Sequence, residues 1–149
     1  MVLEWTNPDC PFVKKHYDSS NMQELQKFYT AKGVVWLSIN SSAQGKQGNY
    51  TPEEWNKIIK EKKAEPTAVL LDPDGKVGKM YDAQTTPHMF RIDQQGLLIY
   101  QGAIDDKAGT DPADIPSAVN YVRKALDEAM AGKPVTTPTT KSYGCSVKY

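Results

Sequence analysis

The chain has only two cysteines in 149 residues, Cys10 and Cys145, and they stand near opposite ends. That excludes a disulfide-rich scaffold, and two thiols alone do not complete a four-ligand zinc site. Redox chemistry or inert burial remains for each of them. Charge of one sign is also missing: 18 Lys and Arg balance 18 Asp and Glu, with no basic stripe or like-charged run. Nucleic acid and anionic membranes are therefore not expected as main partners. No stretch approaches the roughly 18 apolar residues of a membrane span, and "MVLEWTNPDC" lacks the positive start and long apolar core of a signal peptide. No internal repeat is visible. A chain of this length can bury one hydrophobic core without disulfides or a structural metal, so one domain is expected.

What is present reads as alternating elements. "MVLEW" is a short apolar strand that breaks at the turn formers of "TNPDCP", and Pro11 suits the first position of a helix. Residues 11–33 fit one kinked helix or a short helix followed by a longer one, since "DSSN" interrupts them and Gly33 closes them. "VVWLSIN" at 34–40 reads as a buried strand. "TPEEWNKIIKEKKAE" opens a helix with Thr51 as N-cap, Pro52 next and Glu54 placed for a capping box. "TAVLLD" is a short strand, "PDGKVGKMYDA" a turn into a short helix, and "HMFRID" and "LLIYQGAI" two strands so close that they must be antiparallel. A loop at "DDKAGTDPADIP" precedes the helix "SAVNYVRKALDEAMAG", whose apolar face carries Val119, Val122, Ala125, Leu126 and Ala129. This order gives a mixed central sheet with helices on both faces, an α/β sandwich over residues 1–133, with an irregular tail at 134–149 that carries Cys145.

Cys10 is placed for reactivity. At a helix N-terminus a thiol meets unpaired backbone N–H groups and the positive end of the helix dipole, both of which favour the thiolate. A cysteine followed by proline at a strand-to-helix turn is also where thiol-disulfide enzymes keep a CxxC pair, but Val13 occupies the place of the second cysteine. Lys14 and Lys15 add positive charge nearby or simply form a solvated helix face. Glu4 is a carboxylate inside an apolar run, which requires either a buried role or an outward position at a sheet edge. His88 and His16 read as packed residues rather than ligands. Trp36 and Trp55 read as packing residues, and Trp5 as packing with one side lining the floor of the site. Asp105, Asp106, Asp111 and Asp114 lack the glycine and terminal glutamate of a calcium loop and read as turn and capping residues.

Three segments, in order, resemble the thioredoxin-like superfamily in its redoxin branch, the group of thiol-specific antioxidant and peroxiredoxin-like proteins. They are "LEWTNPDCPFV", then "AVLLDPDGKVGKMYDAQTTPHMFRIDQQGLLIY", then "GAIDD" followed by a last helix, and together they span about residues 1–131. The resemblance implies a three-layer thioredoxin-like fold with Cys10 as nucleophile, Glu4 as a buried acid that relays protons, and Pro87 as a cis-proline. Thr86, Pro87, Pro11 and Trp5 would then contact substrate. It also suggests Cys145 as a resolving cysteine on a C-terminal arm, within one chain or across a homodimer. Two features depart from the family pattern: the chain begins directly at the first strand, with no preceding hairpin, and the peroxiredoxin signature around the cysteine is incomplete. Only Arg91 and Arg123 are available to bind a peroxide.

The expected function is thus a thiol-dependent oxidoreductase with no cofactor. Its partners would be a thiol or disulfide protein substrate, or a small hydroperoxide, together with an external thiol reductant. Two alternatives stay open at this level: a thioredoxin-fold copper chaperone using Cys10, His88 and Cys145, and a non-catalytic module that keeps a peptide groove. Export to a bacterial periplasm is common among proteins with this pattern and is the weak expectation for location.

Overall fold

The computed structural model describes residues 1–149. In chain order the elements are β1 (Val2–Trp5), α1 (Pro11–Asp18), α2 (Asn21–Thr30), β2 (Trp36–Asn40), α3 (Pro52–Lys62), β3 (Ala68–Leu71), α4 (Lys76–Tyr81), β4 (Thr85–Thr86), β5 (His88–Ile92), β6 (Leu98–Gly102), α5 (Tyr121–Met130) and β7 (Cys145–Ser146). The helical stretch after Cys10 is two helices, split at Ser20, whose φ of 65° is left-handed and cannot continue a helix. The Thr51 capping box forms in full, with Thr51 accepting from the Glu54 N–H and Glu54 accepting from the Thr51 N–H. Glu54→Ala should remove half of it and cost about 1 kcal/mol, a fall in Tm of roughly 2–4 °C by calorimetry.

The five-stranded sheet runs β3-β2-β1-β5-β6, with β1, β2 and β3 parallel and β5 and β6 antiparallel to their neighbours. β1 is therefore central, paired on both edges, and its successive side chains enter two different cores. One core holds Val2 with Cys10, Val13, Met22, Leu25, Tyr29 and Leu126, under α1, α2 and α5. The other holds Leu3 and Trp5 with Ile39, Ala83 and Phe90, packed by Tyr81 of α4 and by Val147 of the tail. The chain leaves the carboxyl end of β1 and turns directly into α1, which fixes Cys10 at the mouth between the sheet and the helix.

Two segments differ from the sequence expectation. The loop before the last helix contains a 3-10 turn, Pro112–Ser117, capped by the Asp111 side chain on the Ala113 N–H at 2.9 Å. The last helix starts at Tyr121, with Asn120 as its N-cap, so Val119 lies outside it and is 47% exposed while Val122, Ala125 and Leu126 form the buried face. The Asn120 side chain accepts from the Arg123 N–H, and this local bond sets the start at Tyr121, four residues later than the sequence suggests.

Candidate active site

Cys10 is the N-cap residue of α1, with extended backbone and Pro11 immediately inside the helix. Its side chain is fully buried. As a thiol it donates to the Thr86 carbonyl at 3.1 Å, and its sulfur lies 2.7 Å from the sulfur of Cys145, both cysteines being free. Burial disfavours the Cys10 thiolate, but donors from Cys145, Thr86 and the Val13 backbone outweigh it and hold the pKa below the ordinary thiol value. The partner behaves oppositely: burial, and the bond to and charge of Cys10, push Cys145 up to about 11. Of the two, Cys10 is the sulfur whose thiolate is favoured and Cys145 the one that holds its proton more tightly.

The tail brings the two sulfurs together. β7 pairs antiparallel with β4, Thr86 opposite Cys145 and Thr85 opposite Ser146. The Thr86–Pro87 peptide bond is cis, and both residues are buried. The Thr86 hydroxyl is buried with no hydrogen-bond partner, and the Thr86 side chain beside the Cys10 sulfur favours the thiolate. Pro11 is exposed at the rim of the site. The tail is irregular over most of its length yet docked rather than loose. Tyr143 donates to Asp105 at 2.6 Å, the Ala43 N–H donates to the Lys148 carbonyl at 2.7 Å, and Tyr149 donates to the Ala83 carbonyl at 2.6 Å.

Glu4 is completely buried on β1, on the face that carries Cys10. One carboxylate oxygen accepts from Trp36 Nε1 at 2.9 Å, Ser38 Oγ at 3.0 Å and Gln26 Nε2 at 3.2 Å; the other accepts from the Tyr17 hydroxyl at 2.5 Å. Burial nevertheless dominates and raises its pKa. An outward position at a sheet edge is excluded, because β1 is paired on both sides. None of its hydrogen bonds reaches Cys10, so any proton passing between them crosses a gap.

Trp5 does not line the site. As the next residue on β1 after Glu4 it points to the opposite face, where it is fully buried among Leu3, Ile39 and Phe90 and donates to Ser41 Oγ at 3.0 Å. His88 shares that face: it stacks on Phe90 with ring centres 4.5 Å apart and accepts the Gln84 N–H at 3.1 Å, and burial lowers its pKa to about 4. A chaperone site built from Cys10, Cys145 and His88 is not assembled, since the three do not cluster. Neither arginine stands near the thiol. Arg91 pairs with Val2 at the far end of β5, and Arg123 lies over the rings of Phe28 and Tyr29.

Two residues of α1 carry more than their sequence positions suggest. Lys15 is buried, not a solvated face, and donates to the Lys107 carbonyl at 2.6 Å. His16 is fully buried between Asn21, which donates to Nδ1 at 2.9 Å, and Tyr143, whose hydroxyl is 3.0 Å from Nε2. Because Tyr143 already donates to Asp105, the ring is neutral with its hydrogen on Nε2. Burial and the neighbouring Lys15 charge lower its pKa to about 3, so it stays neutral at any ordinary pH. Tyr143, Gly144 and Tyr149 are thus the residues that seat the tail.

The comparisons with known proteins agree with this geometry. The family model described as Redoxin matches residues 1–122. Among solved structures, an uncharacterized conserved protein from Geobacillus kaustophilus is similar at 31% identity and TM-score 0.84, with 99% of this chain and 76% of that one covered. A hypothetical protein from Sinorhizobium meliloti 1021 is similar at 25% identity and TM-score 0.81, with 99% and 78% covered. A third, from Chlorobium tepidum and proposed to be a thiol:disulfide interchange protein DsbE, shares the fold at 24% identity and TM-score 0.56, over 88% and 77% of the two chains. No curated protein matches the chain. The fold is thioredoxin-like.

Proposed function

We propose that this chain, which belongs to the redoxin family, is a thiol-disulfide oxidoreductase in which Cys10 is the exchanging thiolate and Cys145 resolves it. The observation that carries this reading is the pair itself: a thiolate-favouring sulfur at a helix N-terminus with a second free thiol 2.7 Å away. The Cys10 thiolate attacks a substrate disulfide, a Cys10–substrate bond forms, and the other substrate sulfur leaves as a thiolate. Burial is the larger cause of the raised Cys145 pKa, but that step removes the part due to the charge of Cys10, so the second thiol becomes easier to ionise once it is needed. Cys145 then attacks the Cys10 sulfur, releases the substrate's second thiol and leaves a Cys10–Cys145 disulfide. The substrate has gained two electrons and the protein has lost two; an external thiol reductant restores them. Thr86 and Pro87 would border the substrate, and Pro11 would meet it at the rim.

Disulfide exchange is favoured over peroxide reduction by the absence of any guanidinium at the sulfur, since Arg91 and Arg123 both lie elsewhere. Cys10→Ser should abolish disulfide reductase activity, and stopped-flow mixing should show disulfide exchange outrunning hydroperoxide consumption. Activity retained in Cys10→Ser, or peroxide consumption at the faster rate, would sink this assignment.

A further inference from the structure

The segment that carries Cys145 is seated in the manner of a bound peptide. It adds as an antiparallel strand to the edge at Thr85–Thr86, and the Val147 N–H donates to the Gln84 carbonyl at 3.1 Å. Backbone pairing of this kind takes any extended segment, and side-chain positions then set selectivity. Here the selective position is the one before the cysteine. Gly144 has φ of 148°, and a Cβ there would overlap the Thr86 carbonyl oxygen and come within 2.7 Å of the Thr86 carbonyl carbon and 3.2 Å of Pro87 N. These are backbone atoms, held between β5 and the Cys10 contact, and they cannot rotate aside. Cys10 meanwhile has no exposed surface while the tail is in place.

We propose that the Gln84–Thr86 edge is the docking strand for an extended segment of a partner protein in which glycine directly precedes the reacting cysteine. Gly144–Cys145 is then the resident copy that such a segment displaces. The proposal rests on Cys10 being the exchanging thiol and adds the class of partner and the residue that selects it. The tail is built for exchange rather than permanence. It is pinned by hydroxyls at both ends, Tyr143 to Asp105 and Tyr149 to Ala83, and between those pins it is held by a two-residue ladder, by the backbone bonds of Val147 to Gln84 and of Ala43 to Lys148, and by the side chains of Cys145 and Val147. A longer apolar anchor would block turnover. In the docked complex the Cys10 thiolate attacks the partner's cysteine sulfur, the partner's disulfide breaks, its other sulfur departs with the electron pair, and the tail returns to bring Cys145 onto Cys10.

The test uses the full chain as Cys145→Ser, in which the tail stays seated, and as Gly144→Ala/Cys145→Ser, in which the new Cβ expels it. The probes are the peptide KSYGCSVKY and its counterpart with alanine in place of the glycine, each activated as a thionitrobenzoate disulfide; attack on the peptide sulfur releases coloured thionitrobenzoate, and mass spectrometry confirms the Cys10–peptide adduct. The double variant should react with the glycine peptide about tenfold or more faster than with the alanine peptide, within the range that overpacking against fixed atoms costs. It should also exceed Cys145→Ser with the same glycine peptide. Equal rates for the two peptides, with Cys10 still reactive toward dithiobis-nitrobenzoate, would overturn the docking proposal and leave the exchange function standing. A Cys10 inert to that small reagent in both folded variants would overturn both. Should circular dichroism show the double variant unfolded, Tyr149→Ala/Cys145→Ser, which releases the tail's far pin, takes its place with the same expected ratio.

Discussion

Mild oxidation should raise the melting temperature by roughly 10–20 °C, the largest gain in stability expected of this protein. The two cysteines are separated by 135 positions, so a Cys10–Cys145 bond closes nearly the whole chain into one loop. In the chain-entropy account a loop of that size removes enough freedom from the unfolded ensemble to contribute about 5 kcal/mol, less any strain. Little folded-state rearrangement is needed, because the tail strand already holds the sulfurs in contact through the pairing of Thr86 with Cys145. The same bond takes Cys10 out of reaction until a reductant arrives. The check is a thermal melt with and without reductant, run beside peptide mapping under non-reducing conditions. A Cys10–Cys145 peptide from monomeric protein together with the rise in Tm is the expected result. The same peptide found only in a covalent dimer would mean resolution between chains, and two free thiols after oxidation would remove Cys145 from the mechanism.

The order of strands and helices was legible from the sequence because each follows from local chemistry: Thr51 and Glu54 write their own capping box, Gly33 closes the turn after a helix, and "HMFRID" and "LLIYQGAI" are two short strands too close to be other than antiparallel. The place of Cys10 at a helix N-terminus was legible for the same reason, being fixed by a strand, a turn and a proline within ten residues. The docked tail was not. It is held by backbone pairing to Thr85 and Thr86, by Val147 against the smaller core and by terminal hydroxyls on Tyr143 and Tyr149, and none of these leaves a periodic apolar pattern. The buried state of Lys15 and His16 was hidden likewise, because what covers them is the loop at Asp105–Lys107 and Tyr143, more than ninety residues away. Trp5 is a different kind of miss. Adjacent residues on a strand face opposite ways, so Glu4 and Trp5 cannot both belong to the face of Cys10, and the period of two was enough to choose between them once α1 was placed.

Glu4→Ala should destabilise the protein by several kcal/mol, while Glu4→Gln should fold and instead change how stability and rate depend on pH. The alanine leaves four buried donors, on Tyr17, Gln26, Trp36 and Ser38, facing a void; at about 1–3 kcal/mol for each group left unsatisfied the loss is severe. Glutamine keeps its carbonyl oxygen where three of those donors converge and turns its NH2 toward the Tyr17 hydroxyl, so the cluster survives. The sign of the pH effect follows from burial. Because the folded-state pKa of Glu4 lies above its unfolded value, the folded protein binds the extra proton between them, and stability contributed below the unfolded pKa near 4.3 is lost as pH rises through the folded value. Denaturant melts of the wild type across that window should therefore decline relative to Glu4→Gln, whose side chain does not titrate there. If Glu4 also passes protons to or from the thiol pair, Glu4→Gln should slow disulfide exchange and flatten its pH profile without altering the alkylation rate of Cys10 at a pH where the thiol is fully ionised. Equal exchange rates and parallel pH profiles in the two proteins would restrict Glu4 to organising the cluster of Tyr17, Gln26, Trp36 and Ser38 beneath α1.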